Sequence, residues 1–476
     1  MKKKRPDNQL SHVCLSGFLA CFLILVPALS GFASSQFDTE PLEVFTGAMA
    51  APWERVERLI DRHPGFVHEA FAPEGVQTDP RIIRWFGGDK TPHSNRFLLH
   101  CFRDYSKRTF PTPVLLIHGS VDNANRGWVH PYDMSGSLQS LPPDKVGFAC
   151  RLADLGYAVF AITFAHGQGD NIMQAEQVAN AIRRIRILLG REKDPDFKID
   201  LIAHSKGNVA ARLYCSDARS IFPNLTFLTP FRKDVRKYIA IASPMRGIDT
   251  PYRYYGYNLH IALNPGNAPM GASKMLINGA WKGFHDRTVF SDSKNYWPGQ
   301  PQLLFNLVRD GNIPLGIESA TADAGASALA LYHGGTSLAL ESRGIDKAIE
   351  AGDRLIYRLE EKGIDPSVHL CVLAGNNPYL SLKLPVLGYT PTPYETFSAP
   401  YDGLLFVDSA VWTKGILKRG AKLFAKSVIY LNHLDLARAP EAFKLIDTWL
   451  MAPTGTEKRS LRKQVEALFP SQQDED

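Results

Sequence analysis

Three residues far apart in the chain have the types and the order that acyl-transfer chemistry needs. Ser205 lies in Ala203-His204-Ser205-Lys206-Gly207, Asp402 opens Asp402-Gly403-Leu404, and His433 sits in Asn432-His433-Leu434-Asp435. A serine hydroxyl is a poor nucleophile until a base takes its proton. The base works best when a carboxylate holds the imidazole and stabilises its charged form. Each residue also has a bland reading. A-x-S-x-G arises by chance in many proteins, Asp402 could merely make an Asp-Gly turn, and His433 could cap a helix or lie on the surface. Asp408 is a fallback acid, while Asp435 is too near His433 in sequence to be the first choice. What favours chemistry is the joint pattern, with Ser, Asp and His in that order and each placed at a strand end.

The surrounding elements supply those strand ends. An apolar run at 199–203 stops at His204-Ser205-Lys206-Gly207 and a helical pattern follows at once, so the serine stands at the apex of a strand-turn-helix. Ala203 and Gly207 are small enough for a turn that presses backbone on backbone. Upstream, a strand at 114–117 ends in His118-Gly119-Ser120, followed by a helix at 145–155, a strand at 157–164 and a helix at 173–189. In the last of these Val178, Ile182, Ile185 and Leu189 repeat with helical period. Arg183, Arg184 and Arg186 on its other side read as a solvated face. Further strands fall at 238–242, 368–374 and 427–431, with a final helix at 440–450. Alternating strands and helices imply right-handed crossovers and a mostly parallel sheet, whose ligands sit at the carboxyl ends of the strands.

A carbonyl attacked by Ser205 needs two backbone N–H groups aimed at its developing negative oxygen. The amide of Lys206, next to the nucleophile, is the first, and the amide of Ser120, in the loop after 114–117, is the second. His118 braces that loop and is not a second base. The Lys206 side chain has no required role.

The organisation around this core is as follows. Residues 1–33 read as a secretory signal peptide: Lys2-Lys3-Lys4-Arg5, an apolar run from 13 to 29, and small residues Gly31 and Ala33 before the cleavage point. An uncleaved anchor is the alternative. The expected location is secreted or periplasmic. Residues 34–110 form an N-terminal extension with a short helix from Pro52 to Ile60 and a strand at 96–102. Residues 111–244 and 364–452 form the core, and 453–476 a polar tail. The strand-helix alternation lapses over 245–363, which reads as a cap or lid inserted over the strand ends, or else as a plain second lobe. It carries the aromatic groups Tyr252, Tyr254, Tyr255, Tyr257 and Trp281, Phe284, Tyr296, Trp297, an Ala/Gly/Leu-rich stretch at 322–340, and an amphipathic helix at 346–362.

Composition excludes several classes. The formal charge of +6 includes +3 from Lys2, Lys3, Lys4, Arg5 and Asp7 in the leader, leaving +3, which is no nucleic-acid footprint. C-x-x-C and H-E-x-x-H are both missing from the sequence, so it offers no redox motif and no zincin motif. Cys101, Cys150, Cys215 and Cys371 remain beyond the leader; they permit two disulfides in three connectivities, or four buried thiols.

Taken together, HG at 118–119, AHSKG at 203–207, SPMRG at 243–247, DGLLFVDSA at 402–410 and NHLDL at 432–436 resemble bacterial lipases and esterases of the α/β-hydrolase superfamily. The resemblance implies an α/β-hydrolase fold, a mostly parallel sheet flanked by helices, with a large cap insertion. It also implies ester hydrolysis through an acyl-enzyme, with Ser205, Asp402 and His433 as the triad and no cofactor or metal. The expectation is a secreted serine ester hydrolase, foremost a lipase acting on triacylglycerol or a related ester. A short-chain carboxylesterase or a polyhydroxyalkanoate-type depolymerase is the alternative, and a non-catalytic binding protein of the same fold is the rival from another class. The expected partner is an ester or lipid, with no nucleic acid and no membrane span in the mature chain. Two departures bear on the acyl pocket: Asn208 stands where many such lipases have a second glycine, and SPMRG replaces the more usual TPHRG-like segment.

Overall fold

The computed structural model describes residues 39–71, 75–108, 110–130, 146–253, 281–282, 297–316, 322–337, 341–384, 388–393 and 399–454. The signal-peptide reading and most of the polar tail fall outside these residues, as do Tyr254, Tyr255, Tyr257, Phe284 and Tyr296.

Nine strands make the main sheet: β1 (Glu40–Thr46), β2 (Arg55–Ile60), β3 (Arg96–Cys101), β4 (Val114–Ile117), β5 (Val159–Phe164), β6 (Ile199–His204), β7 (Val235–Ile241), β8 (His369–Gly375) and β9 (Lys422–Ile429). Their spatial order is β1-β2-β3-β5-β4-β6-β7-β8-β9. From β5 onward every pairing is parallel, and β1, β2 and β3 add an antiparallel flank through β3 on β5. This is the α/β-hydrolase fold. The strand order reverses around β4, with β5 on one side and β6 on the other, so a crevice opens where their carboxyl ends diverge.

Burial on both faces explains why β4 to β8 are apolar runs and not alternating ones, whereas the edge strands β1 and β9 are largely exposed. Val114, Leu116, Ile202 and Ile239 meet Phe148 and Leu152 of α1 (Phe148–Asp154) and Phe443, Ile446 and Trp449 of the C-terminal helix Pro440–Met451. Their neighbours Leu115, Ile117, Leu201 and Ala203 face the other way, against Val178, Ile182 and Ile185 of α2 (Asn171–Leu188) and Ala210 and Tyr214 of α3 (Gly207–Cys215). The period of two along each strand sorts the core into two layers.

Three expectations are corrected. Residues 55–60 are not helical. Pro52-Trp53-Glu54 mimics a helix start, but β1 and β3 supply pairing on both sides, Arg55 opposite Thr46 and Cys101. Tertiary pairing outweighs local propensity here. The single helix expected at 346–362 is two, Ile345–Ala351 and Leu355–Lys362, broken where Asp353 and Arg354 adopt φ of 55° and 52°. Gly352 was the available signal, since a side chain there would overlap the Pro301 backbone. The arginines of α2 are not simply solvated. Arg184 Nε and Nη2 donate to the fully buried Glu57 carboxylate of β2 at 2.7 and 3.0 Å, and Arg55 joins the same carboxylate at 2.6 Å.

The four cysteines resolve to the unbridged reading: Cys101, Cys215 and Cys371 are buried thiols and Cys150 is half-buried. Burial pushes the first two thiols well up and Cys371 up to about 12, so they act as small apolar side chains. Among the described residues no helix is long and apolar enough to cross a membrane.

Glu57 ties the antiparallel flank to α2, and removing Arg184 leaves its buried charge with Arg55 alone. Arg184→Met should cost on the order of 2–3 kcal/mol, below the full penalty because Arg55 remains. Urea unfolding measures this; a change under about 0.5 kcal/mol would be the size of an ordinary surface substitution and would contradict it.

Candidate active site

The turn between β6 and α3 carries Ser205 at φ 51°, in the left-handed region that a residue with a Cβ avoids. The loop leaving β4 imposes this. A Cβ on Gly207 would stand 2.3 Å from the His118 carbonyl oxygen, and one on Gly119 would stand 2.9 Å from the Ser205 Cβ. Ser205 N–H donates to the Ile241 carbonyl at 3.0 Å, fastening the turn to β7. The strained backbone leaves the hydroxyl facing a cleft lined by Ser120, Lys206, Pro244, Ile248, Thr250, Pro251, Leu303, Leu404, Leu405 and His433.

His433 follows β9 and reaches the serine from the far side of the cleft. Its Nε2 lies 2.8 Å from Ser205 Oγ, and its Nδ1 lies 2.9 Å from Asp402 Oδ2. A carboxylate only accepts, so Nδ1 carries the hydrogen and Nε2 is left as the acceptor for the serine hydroxyl. Asp402 is buried and its other oxygen accepts from the Leu404 and Leu405 amides at 3.0 and 2.7 Å. The same residue makes the Asp-Gly turn, with Gly403 at φ 97°, so the two readings of Asp402 coexist. His433 N–H donates to the Asp402 carbonyl at 2.8 Å, which locks the two loops together.

The other sequence candidates fall into place around this trio. Ser120 and Lys206 both line the cleft beside Ser205. Asp408 lines a separate cavity of about 530 Å³ with Arg246, Trp412 and Lys426, away from His433. Asp435 pairs with Arg438 at 2.6 Å. His118 Nδ1 donates to the Gly119 carbonyl at 2.8 Å, and its Nε2 accepts from the Phe164 amide at 3.2 Å, bracing the loop after β4. Val121 in that loop has φ 48°, a costly conformation for a β-branched side chain.

Sequence reasoning missed three supports. His204 Nε2 donates to the His433 carbonyl at 3.0 Å. Asn208 does not touch the cleft: its Nδ2 donates to the Ser205 and Ile241 carbonyls, both at 3.0 Å, and its Oδ1 accepts from Tyr238 at 2.9 Å. The Lys206 side chain is buried and donates to the Gly169 carbonyl and Gln174 Oε1. Its place beside the serine was the one signal available. No group of three or more metal-binding side chains occurs among the described residues.

The arrangement can take a proton from Ser205, hold the resulting imidazolium against Asp402, and return the proton to a leaving group. Residues 111–256, just under a third of the chain, match the family model for lipase (class 2). That stretch holds both loops facing the serine but neither Asp402 nor His433. No curated protein sequence matches the chain. Distant structural likenesses include the mature lipase BlEst2 of Bacillus licheniformis at 13% identity, covering 72% of this chain and 93% of that one with a TM-score of 0.32. A thermostable carboxyl esterase of Bacillus coagulans, in complex with glycerol, shows 11% identity, covers 75% and 93%, and has a TM-score of 0.34. Esterase B of Lactobacillus rhamnosis shows 14% identity, covers 85% and 91%, and has a TM-score of 0.36. These likenesses are too remote to carry an argument about substrate.

Burial holds His118 and His204 neutral by pushing both down to about 4, against a usual value near 6.5. Between those values each histidine binds more proton in the unfolded chain than in the folded one, so the stability it contributes is present above about 6.5 and is lost as pH falls toward 4, while Glu69 and Glu176, pushed up to about 7 by burial, act in the opposite sense over that window. The expected slope is on the order of 1 kcal/mol per pH unit for each histidine. Urea unfolding at pH 7, 5.5 and 4.5 reads it, and His204→Asn should make the decline shallower; an identical decline in that variant would refute the assignment.

Proposed function

We propose that this carboxylic ester hydrolase of the α/β-hydrolase superfamily works through Ser205 as nucleophile, His433 as general base and acid, and Asp402 as the carboxylate that orients and charge-stabilises His433. The observation that carries the reading is the unbroken hydrogen-bonded run from Ser205 Oγ through His433 to Asp402, at 2.8 and 2.9 Å. His433 Nε2 takes the serine proton as Oγ attacks the ester carbonyl. The amides of Ser120 and Lys206 receive the oxyanion. His433 then protonates the departing alcohol, and the acyl group stays on Ser205. Water, deprotonated by the same imidazole, releases the acid and restores the serine. No residue in this cycle needs a cofactor.

The substrate reading rests on the cleft walls. Pro244, Ile248, Pro251, Leu303, Leu404 and Leu405 are apolar, which suits an acyl chain and supports a lipase. Ile248, Thr250, Pro251 and Leu303 come from the 245–363 insertion, which we propose as the cap that completes the acyl site. One observation favours the second reading, an esterase for short acyl groups. The cleft offers a cavity of about 30 Å³, room for a water or two, so a long chain requires its walls to give. The leader supports secretion or a periplasmic location.

Ser205→Ala and His433→Ala should each lower kcat by roughly 10⁶, and Asp402→Asn by roughly 10⁴. Stopped assays on nitrophenyl esters measure this, with circular dichroism to check folding. Near-normal turnover by folded Ser205→Ala would overturn the proposal. A chain-length series from acetate to palmitate, with emulsified triglyceride alongside, separates the two substrate readings: a maximum at acetate or butyrate with nothing at the interface would remove the lipase.

A further inference from the structure

Behind the elbow lies a buried polar cluster that the acyl-transfer cycle does not use. Lys206 Nζ donates to the Gly169 carbonyl at 2.9 Å and to Gln174 Oε1 at 2.6 Å. Gly169 belongs to the loop between β5 and α2, and Gln174 lies in the first turns of α2. Next to them Asp170 caps α2 through the Ile172 amide at 2.7 Å, while its own amide donates to Glu69 Oε1 at 2.7 Å. Gln302 Nε2 donates to Asp170 Oδ2 at 2.9 Å. Gly299 closes over the lysine stem so tightly that a Cβ there would stand 2.5 Å from Lys206 Cε and 2.1 Å from the Gly169 carbonyl oxygen. The side chain therefore joins the turn that carries Ser205 to the β5–α2 segment, under the returning chain at 299–302.

Burying an ammonium is expensive even after relaxation, and a methionine of similar length would fill the same space without that cost. What methionine cannot do is hold two oxygens at fixed distances. The peptide between Ser205 and Lys206 carries the N–H assigned to the oxyanion, and the lysine side chain leaves from the very residue that owns that N–H. We propose that the Lys206 side chain is a positioning residue: its clamp on Gly169 and Gln174 holds the Lys206 amide on the oxyanion. This inference rests on the serine-hydrolase reading above.

The groups that face the ammonium give the clamp a pH signature. Glu69 approaches from the segment before β3, Asp170 and Gln174 from the start of α2, and His118 from the loop after β4; Gln300 and Gln302 of the overlying chain are uncharged. Burial pushes Lys206 down to about 7, opposed by Glu69 and Asp170. Burial, aided by Asp170, pushes Glu69 up to about 7. His118 is neutral there and supplies no opposing charge. As pH rises through about 7 the lysine loses its proton, the clamp weakens, and kcat declines.

The test is a pair of variants assayed on a soluble nitrophenyl ester from pH 6 to 9. Lys206→Met should lower kcat roughly tenfold to a hundredfold, leave KM within about threefold, and lose the alkaline decline. Gln174→Glu places another carboxylate on the amine and should move that decline to higher pH by a unit or more. If Lys206→Met does not fold, the Gln174→Glu shift decides alone. A folded Lys206→Met with kcat within threefold of wild type, or Gln174→Glu with an unmoved profile, would overturn the clamp. Failure of the underlying reading shows differently, as activity surviving Ser205→Ala or Ser205 left unlabelled by a fluorophosphonate.

Discussion

The close approach of two backbones, the β6–α3 turn and the loop leaving β4, sets the geometry on which the rest of the site depends. Gly207 lies against the His118 carbonyl and Gly119 against the Ser205 side chain, so neither position admits a Cβ without displacement. A non-glycine residue held at φ 51° costs on the order of 1–3 kcal/mol and persists only where the surroundings over-determine it. Here they do. Ser205 N–H is fastened to β7, and Asn208 bonds both the Ser205 and the Ile241 carbonyls while Tyr238 holds Asn208 in turn.

The sheet provides the platform for that contact. Ile117 and Ala203 are register partners on β4 and β6, so the loops that follow start at the same height. The third side of the site comes from beyond β9, and it is held by backbone groups more than by charge. His433 N–H meets the Asp402 carbonyl, His204 meets the His433 carbonyl, and the Leu404 and Leu405 amides meet the Asp402 carboxylate. The two amide N–H groups occupy one carboxylate oxygen of Asp402 and leave the other to the imidazole.

How much of this was legible in the sequence varies with the kind of interaction. Apolar runs punctuated by turns marked β4 to β8 because strands covered on both faces advertise themselves by hydrophobicity alone; the edge strand β9 is largely exposed, and only its end at 427–429 was read as strand. Ser205, Asp402 and His433 stood out by residue type and chain order, and the fold brings their side chains within hydrogen-bond reach, although Asp402 lies well beyond the end of β8. Residues 55–60 were not legible, since their pairing is with β1 and β3 and leaves no local trace stronger than Pro52 mimicking a helix start. Arg184 was misjudged for a related reason. A charged side chain in a sequence reads as solvated, and only the fold shows which charges have been carried inside with a partner. Asn208 was read as a change in the pocket and is a brace behind it, because sequence position does not tell which side of a turn a side chain faces.

Helix α3 shows how residues 245–363 bear on Ser205. Ala210, Ala211 and Tyr214 face the sheet, whereas Val209 and Leu213 pack in one apolar cluster with Leu303, Phe305, Leu331, Ile345 and Ile356 of the insertion. The helix that begins two residues after Ser205 is thus gripped on two sides. Backbone bonds tie the cleft walls to the same cluster: Ile248 N–H donates to the Leu303 carbonyl at 2.9 Å and Phe305 N–H to the Ile248 carbonyl at 3.0 Å. Thr250 Oγ1 reaches across to the Leu404 carbonyl at 2.6 Å, joining the insertion to the loop of Asp402. Rigid-body movement of this described part of the insertion would have to shear a packed core and drag on both the serine and the carboxylate. The cleft walls from this stretch are therefore built in with the loops that carry Ser205 and Asp402, and a substitution that alters those walls displaces the loops as well.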